Sequence, residues 1–284
     1  MLHAGADVLG PDDLVLHAAT LRSASCLELC DAAVAGGFRG VTFYPTQIRR
    51  ARASGLSLLD LRSALRERGL ELADLDPLLN WMPGDDFASE LSASEAEHYE
   101  VAEALGARSL NVAQAFRPRI EIDAAAEALA GVCDRAWEHG LIITLEFLPW
   151  AGIPDIATAR AVVERCGRPN ASLMVDTWHT FRGPSTEAQL AALPGKLVGS
   201  IQINDAPAEP AGDLLTETTT ARLLPGEGAI PLERWIRMLD ANGCRAPIGV
   251  EVFSDANDRL PPDEVARRCG DAARRVLESA RGRR

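Results

Sequence analysis

Residues 141–147 read LIITLEF: five apolar or β-branched residues, a glutamate and a phenylalanine, directly after the helix-like AAAEALAGVCDRAWEHG. A nearly continuous apolar run of this length, without alternation, is what a strand covered on both faces requires. The carboxylate of Glu146 at its end is costly to bury unless it is paired or holds a metal. The same layout recurs three more times down the chain, with Asp176 ending ASLMVD (171–176), Gln202 inside LVGSIQIN (197–204) and Glu251 inside PIGVEV (247–252). Upstream, LVLHAAT (14–20), GVTFY (40–44), LELADLD (70–76) and RSLNV (108–112) read as four further strands. The stretches between strands, among them CLELCDAAVAGG, LLDLRSALRERG, EAEHYEVAEALGA, IATARAVVERCG and PLERWIRMLDANG, carry apolar residues at helical spacing, and several close on a glycine just before the next strand. Eight such βα units in roughly 250 residues predict a single TIM-barrel domain over 1–284.

Two segments are longer than a βα turn needs: Pro77 to about Ser92 after strand three, and Asp205–Pro231 after strand seven. Loops of this length in a compact domain are usually lids or binding loops. Both are expected on the C-terminal face of the barrel, with the four polar residues.

Composition narrows the partners. Asp and Glu total 41 against 29 Lys and Arg, a formal charge of −12, which disfavours an extended phosphate backbone; no nucleic acid is expected. A small sugar, polyol or cyclic keto acid is the expected partner, and a homo-oligomer is compatible with the sequence. The only lysine is Lys196, so imine chemistry would rest on that residue alone. No run approaches the eighteen or so apolar residues of a membrane span, and MLHAGADVLGPDD lacks the layout of a signal peptide, so no membrane and a cytoplasmic location are expected. The six cysteines form no CxxC or Cys/His cluster and read as reduced packing residues.

On strands five to eight in order, Glu146, Asp176, Gln202 and Glu251 would meet at one quadrant of a closed rim. Three carboxylates and an amide oxygen suit one Mg²⁺ or Mn²⁺, with Co²⁺ a third candidate, and lack the Cys and His of a structural zinc. Each has a plainer alternative: an arginine pair for Glu146 or Glu251, a helix cap for Asp176, a hydrogen-bonded core amide for Gln202. His17 and Tyr44 end strands one and two and either line the pocket or fill the barrel. Trp81, Asn111, Gln114, Trp150 and Trp178 are placed to wall the site or contact hydroxyls. Arg182 either holds a substrate anion or faces solvent. No Gly-rich phosphate cradle follows strand seven or eight.

With LEF, MVDTWH, IQINDAP, RLLPGEG and EVF in place, the sequence resembles the xylose-isomerase-like TIM-barrel superfamily of sugar phosphate isomerases and epimerases, most specifically after residue 140. The resemblance implies one divalent cation on the four strand-end residues, Glu146 and Glu251 as the acid/base pair, and His179 and Arg222 facing substrate oxygens. It implies an isomerase or epimerase of a small polyhydroxylated keto compound, working by proton abstraction next to a carbonyl through an enediolate that the metal stabilises. Gln202 departs from the histidine many epimerases carry there; with the following DAP and R-x-x-P-G-E-G it is similar to the dehydroshikimate-dehydratase-like branch, making a dehydratase acting on a dehydroshikimate or inosose the alternative. A non-catalytic sugar-binding barrel is a third reading. Endonuclease IV shares the barrel but needs several histidines and a basic face; here only His179, of five histidines, stands at a ligand-like position.

Overall fold

The computed structural model describes residues 9–88 and 92–282. Residues 89–91 of the expected loop after strand three, and the N-terminal stretch up to residue 8, lie outside them. Eight parallel strands close in sequence order into a barrel: β1 Leu14–Leu16, β2 Gly40–Phe43, β3 Glu71–Leu78, β4 Ser109–Ala113, β5 Ile142–Glu146, β6 Ala171–Asp176, β7 Val198–Ile203 and β8 Ile248–Val250, with β8 pairing back onto β1. The fold is the expected (β/α)8 TIM barrel.

The helices that cover it begin where the sequence supplies caps. Ser25 and Glu28 form a capping box at Cys26–Ala35, Ser57 and Asp60 another at Leu58–Glu67, and Asp155 caps Ile156–Cys166. Such caps satisfy N–H groups that have no partner within the helix. Their apolar faces and both faces of the strands merge into one core, in which Leu16, Phe43, Leu78, Leu110, Ile143 and Phe147 are fully enclosed. All six cysteines are buried and free of disulfides. No helix among the described residues is long and apolar enough to cross a membrane.

Most strand limits differ from the expected ones by a residue, and the eighth strand stops at Val250 rather than residue 252, so Glu251 follows it; two differences have a visible cause. The first strand stops at Leu16 rather than residue 20, and Ala18–Leu21 turns as a 3-10 helix. The cause is non-local: the His17 N–H bonds Val250 O at 3.1 Å, while the Thr20 hydroxyl donates to Val250 O and accepts from Val252 N, so β8 draws the chain into a turn. The third strand runs two residues further, to Leu78, because Leu78 still pairs with Val112 across an irregular register.

The barrel interior is polar beneath the rim. Asp74 accepts hydrogen bonds from Ser109 and, at 3.0 Å, from Ser200, and the Arg108 side chain donates to Gly199 O at 2.9 Å. Buried groups so paired escape the desolvation cost of an unmade bond.

Candidate active site at the C-terminal rim

Glu146 and Asp176 are the last residues of β5 and β6, Gln202 is the penultimate residue of β7, and Glu251 follows β8 directly. Register brings neighbours level, Asp176 with Gln202 and Gln202 with Gly249. All four are buried, as are His17, Asp76, Asn111, His179 and Arg222. Together they form a continuous ring of polar contacts.

On one side, Asn111 Nδ2 donates to both Glu146 Oε2 and Asp76 Oδ1, each at 2.7 Å. His179 Nε2 lies 3.3 Å from Glu146 Oε1. On the other side, Arg222 Nη1 reaches Asp176 Oδ2 at 2.8 Å and Glu251 Oε2 at 3.0 Å, so one guanidinium bridges two of the four expected ligands. Gln202 Nε2 donates to Glu251 Oε1 at 3.2 Å and sits 3.2 Å from His17 Nδ1. The remaining amide oxygen, Gln202 Oε1, is buried with no hydrogen-bond partner among the described residues. Two triads have ligand atoms within 4.8 Å of one another: Glu146, Asp176 and His179; and His17, Asp76 and Glu251.

Asp176 also does what its plainer reading requires. Its Oδ1 accepts from the His179 N–H at 2.9 Å, capping Thr177–Arg182, and Asn204 Nδ2 adds a bond to Oδ2 at 3.0 Å. The cap orients the turn that carries His179. His17 has room because residue 249 is glycine: a Cβ there would stand 2.5 Å from the ring Nε2.

Burial and neighbouring charge shift the titrating groups of the ring in different directions. Burial pushes the Asp176 carboxyl up, but the adjacent Arg222 and His179 outweigh it and hold the group below its ordinary value. Asp76 is pushed well up, first by burial and then by Glu146 and Glu251. For His17, burial favours the neutral ring, yet the hydrogen bond and charge of Glu251 prevail and raise it. The Tyr44 hydroxyl is raised by burial and then by the charges of Glu251, Asp76 and Glu146.

The two long loops build the walls. After β3, Trp81 Nε1 donates to Ala113 O at 3.1 Å, Arg117 pairs with Asp85 at 2.7 Å, and the rings of Phe87 and Phe116 stack 3.7 Å apart. Gln114 belongs to this clasp, accepting from the N–H groups of Phe116 and Arg117. After β7, Asp205 exchanges two backbone hydrogen bonds with Leu223, and its carboxylate accepts from the N–H groups of Ala206, Gly226 and Ile230. Within this excursion, helix Leu214–Thr220 presents Glu217 to Trp178 Nε1 and Arg182 Nε, at 2.9 and 2.7 Å. Arg182 is therefore an internal ion-pair partner rather than a solvent-facing arginine. Trp178 is fully enclosed with its N–H committed, whereas the half-buried Trp150 meets the His179 ring edge-on at 5.5 Å. Arg222 is fixed from behind by Thr218, whose backbone oxygen and hydroxyl it bonds, and lies between the rings of Trp178 and Phe253.

Sequence reasoning passed over Asp76, Asn204 and Glu217. Asp76 carries the same mark as the four chosen residues, a carboxylate ending an apolar strand, and that test extended to strand three would have found it. Asn204 and Glu217 become visible only through partners distant in sequence.

Residues 30–274 match the xylose isomerase-like TIM barrel family, and the chain belongs to it. A 3-dehydroshikimate dehydratase of Pseudomonas aeruginosa is 26% identical over 243 residues, 82% of this chain and 37% of the relative. An inosose isomerase of Bacillus velezensis is 29% identical over 154 residues, 54% of each chain. The matches thus span from about a third to about half of these relatives' own length. Both relatives are named as enzymes, one a dehydratase and one an isomerase. Among solved structures, the IOLI protein with a binding zinc atom superposes with a TM-score of 0.85 at 21% identity, over 94% of this chain and 99% of that one, a likeness of fold.

Proposed function

We propose that the chain is a divalent-metal-dependent isomerase or epimerase of a small polyhydroxylated keto compound. The observation that carries this reading is Gln202 Oε1, a buried acceptor without a donor among the described residues, beside three buried carboxylates: a group so placed costs about 1–3 kcal/mol unless something binds it. Oxygen donors of this kind suit Mn²⁺ or Mg²⁺, which Glu146, Asp176, Gln202 and Glu251 would hold; Glu146 and Asp176 cluster with His179, and Glu251 clusters with His17 and Asp76. When bound, the cation supplies Lewis-acid polarisation of a substrate carbonyl.

The remaining chemistry belongs to the side chains. Glu146 and Glu251 stand on opposite sides of the ring, so one removes the proton next to the carbonyl and the other returns it, on the other face or to the adjacent carbon. Asn111 and His179 orient Glu146; Arg222 and Gln202 orient Glu251. The clasp of Trp81 and the Trp150 ring, which meets His179 edge-on, form walls beside the rim.

A dehydratase is the second reading, favoured by Gln202 at the third position and by the match to the dehydroshikimate dehydratase across 82% of this chain. The two reactions share proton abstraction and part at the next step, where a β-hydroxyl leaves in place of a returning proton. Incubating Mn²⁺-treated protein in deuterated water with ketoses, inososes and 3-dehydroshikimate separates them. Deuterium uptake at unchanged composition is the expected result; loss of water with a new aromatic chromophore from dehydroshikimate establishes the lyase. Asp176→Asn and Glu251→Gln are expected to lose the bound ion with the circular-dichroism spectrum intact, and unchanged metal content in both refutes the ligand set.

A further inference from the structure

Helix Leu214–Thr220 is set on the barrel largely by polar contacts. Its buried residues are Glu217 and Thr218, while Leu214 is half-buried and Leu215 is exposed. A surface helix ordinarily takes its direction from an apolar stripe. Here the last turn is tied toward β8, with Thr219 O accepting from Arg22 Nη1 at 2.7 Å and Thr220 O from the Asp255 N–H at 2.9 Å. Toward β6 the tie is the Glu217 carboxylate. Its Oε1 accepts from Trp178 Nε1 and Arg182 Nε, and its Oε2 from the Ala211 N–H at 2.6 Å.

Trp178 and Arg182 both belong to the turn helix Thr177–Arg182, which Asp176 caps and which carries His179. The neighbour of Glu217, Thr218, holds Arg222 by its backbone oxygen at 3.1 Å and its hydroxyl at 2.8 Å, and Arg222 returns to Asp176 Oδ2. The contacts close a circuit: Asp176, the turn helix, Glu217, Thr218, Arg222 and Asp176 again. Its two arms meet where His179 Nε2 and Arg222 Nη2 stand 3.5 Å apart. The side chains of Arg182 and Glu217 are only 7% and 1% exposed. A pair so buried adds little net stability over apolar packing of similar volume, and its best-attested contribution is to fix register.

We propose that Glu217 is a positioning residue: it fixes the turn helix against helix Leu214–Thr220 and so sets His179 and Arg222 in one arrangement at the carboxylate ring. The use of that arrangement rests on the enzymatic reading above; its existence is open to test without a substrate. Once the carboxylate is removed, the two arms can shift relative to each other, and a misplacement of about 1 Å at reacting groups can cost about 100-fold in rate.

Hydrogen exchange read by mass spectrometry on Glu217→Ala and Glu217→Gln, with no substrate present, reports on the circuit directly. Glu217→Ala should speed exchange about tenfold in peptides covering 177–182 and 221–223 as well as in 214–220, and Glu217→Gln, which keeps one acceptor oxygen, should do so less. Asn170→Ala is the control: it breaks two buried hydrogen bonds, to Cys133 O and Leu141 O, just before β6 at the opposite end of the barrel, and should leave these segments as in the parent. Faster exchange confined to 214–220, or equal acceleration in the control, overturns the inference. On a ketone that the Mn²⁺-loaded parent turns over, kcat should fall about 100-fold in Glu217→Ala and less in Glu217→Gln, with a smaller rise in KM. A loss in kcat no greater than that of Asn170→Ala likewise overturns it. A parent that turns over no ketone counts against the enzymatic reading alone, and the exchange pattern still decides the role of Glu217.

Discussion

The two halves of the rim hold their glutamates by different physics. On the β3–β5 side, Glu146 rests on an amide and an imidazole, Asn111 and His179, with the carboxyl of Asp76 as third partner of the cluster. On the β6–β8 side, Glu251 and Asp176 share a guanidinium supplied from the excursion after β7. The difference teaches that one ring can hold an aspartate kept ionised beside a guanidinium, Asp176, and another, Asp76, that burial and neighbouring carboxylates push the opposite way.

The largest effect is expected from Arg222→Met, which strips the cation from two buried carboxylates. The loss in unfolding free energy is about 3–5 kcal/mol, measured by urea denaturation at neutral pH. The family resemblance implies that Arg222 faces substrate oxygens, and the structure ties it to two buried carboxylates, so turnover and stability should fall together. A loss below about 1 kcal/mol breaks the distinction between the halves. Asn111→Ala removes neutral hydrogen bonds instead and should cost less, about 1–3 kcal/mol by the same measurement, with a fall in kcat exceeding any rise in KM.

A pH titration sharpens the contrast further. The raised pKa of Asp76 means that its ionisation is penalised in the folded chain, so this group favours folding below its unfolded pKa and loses that contribution as pH rises toward its folded value. Asp176, depressed beside Arg222, does the reverse: its contribution is present above the unfolded pKa and disappears as pH falls through the folded one. In metal-free protein, Asp76→Asn should therefore gain stability relative to the parent as pH rises from about 4 toward neutrality. An advantage that does not change over that interval contradicts the shift. The smallest effect is set by an exposed pair away from the rim: Arg52→Ala, which breaks the contact with Glu100, should cost under 1 kcal/mol, roughly, and nothing measurable in high salt.

The barrel could be read from the sequence because its signals are local: an apolar run, a helical period, a glycine, repeated eight times. So could the placement of Glu146, Asp176, Gln202 and Glu251 near one another, since each ends its own strand and closure of the barrel does the rest. What escaped depends on groups far apart in the chain. Residues 17–20 read as strand because nothing nearby announces that Val250 and Val252 will take their hydrogen bonds. The pairing of Arg182 with Glu217 across the excursion, and of Arg222 with Asp176 and Glu251, is likewise written in no local pattern.

Asp205 gives the excursion after β7 a particular freedom. By binding Ala206, Leu223, Gly226 and Ile230 it staples both ends of the loop to the barrel, while Arg222 is tied next to the staple through its own N–H to Phe253 O at 3.0 Å. Of the exposed stretch at 208–213, Ala211 donates its N–H to Glu217 and Asp213 caps the helix that carries Thr218, so Glu209 and Pro210 are the residues that hang outside that knot. Insertions or deletions at those two positions can accumulate over evolutionary time without shifting the guanidinium, so the outer lip of the chamber is free to diversify while its inner wall stays fixed.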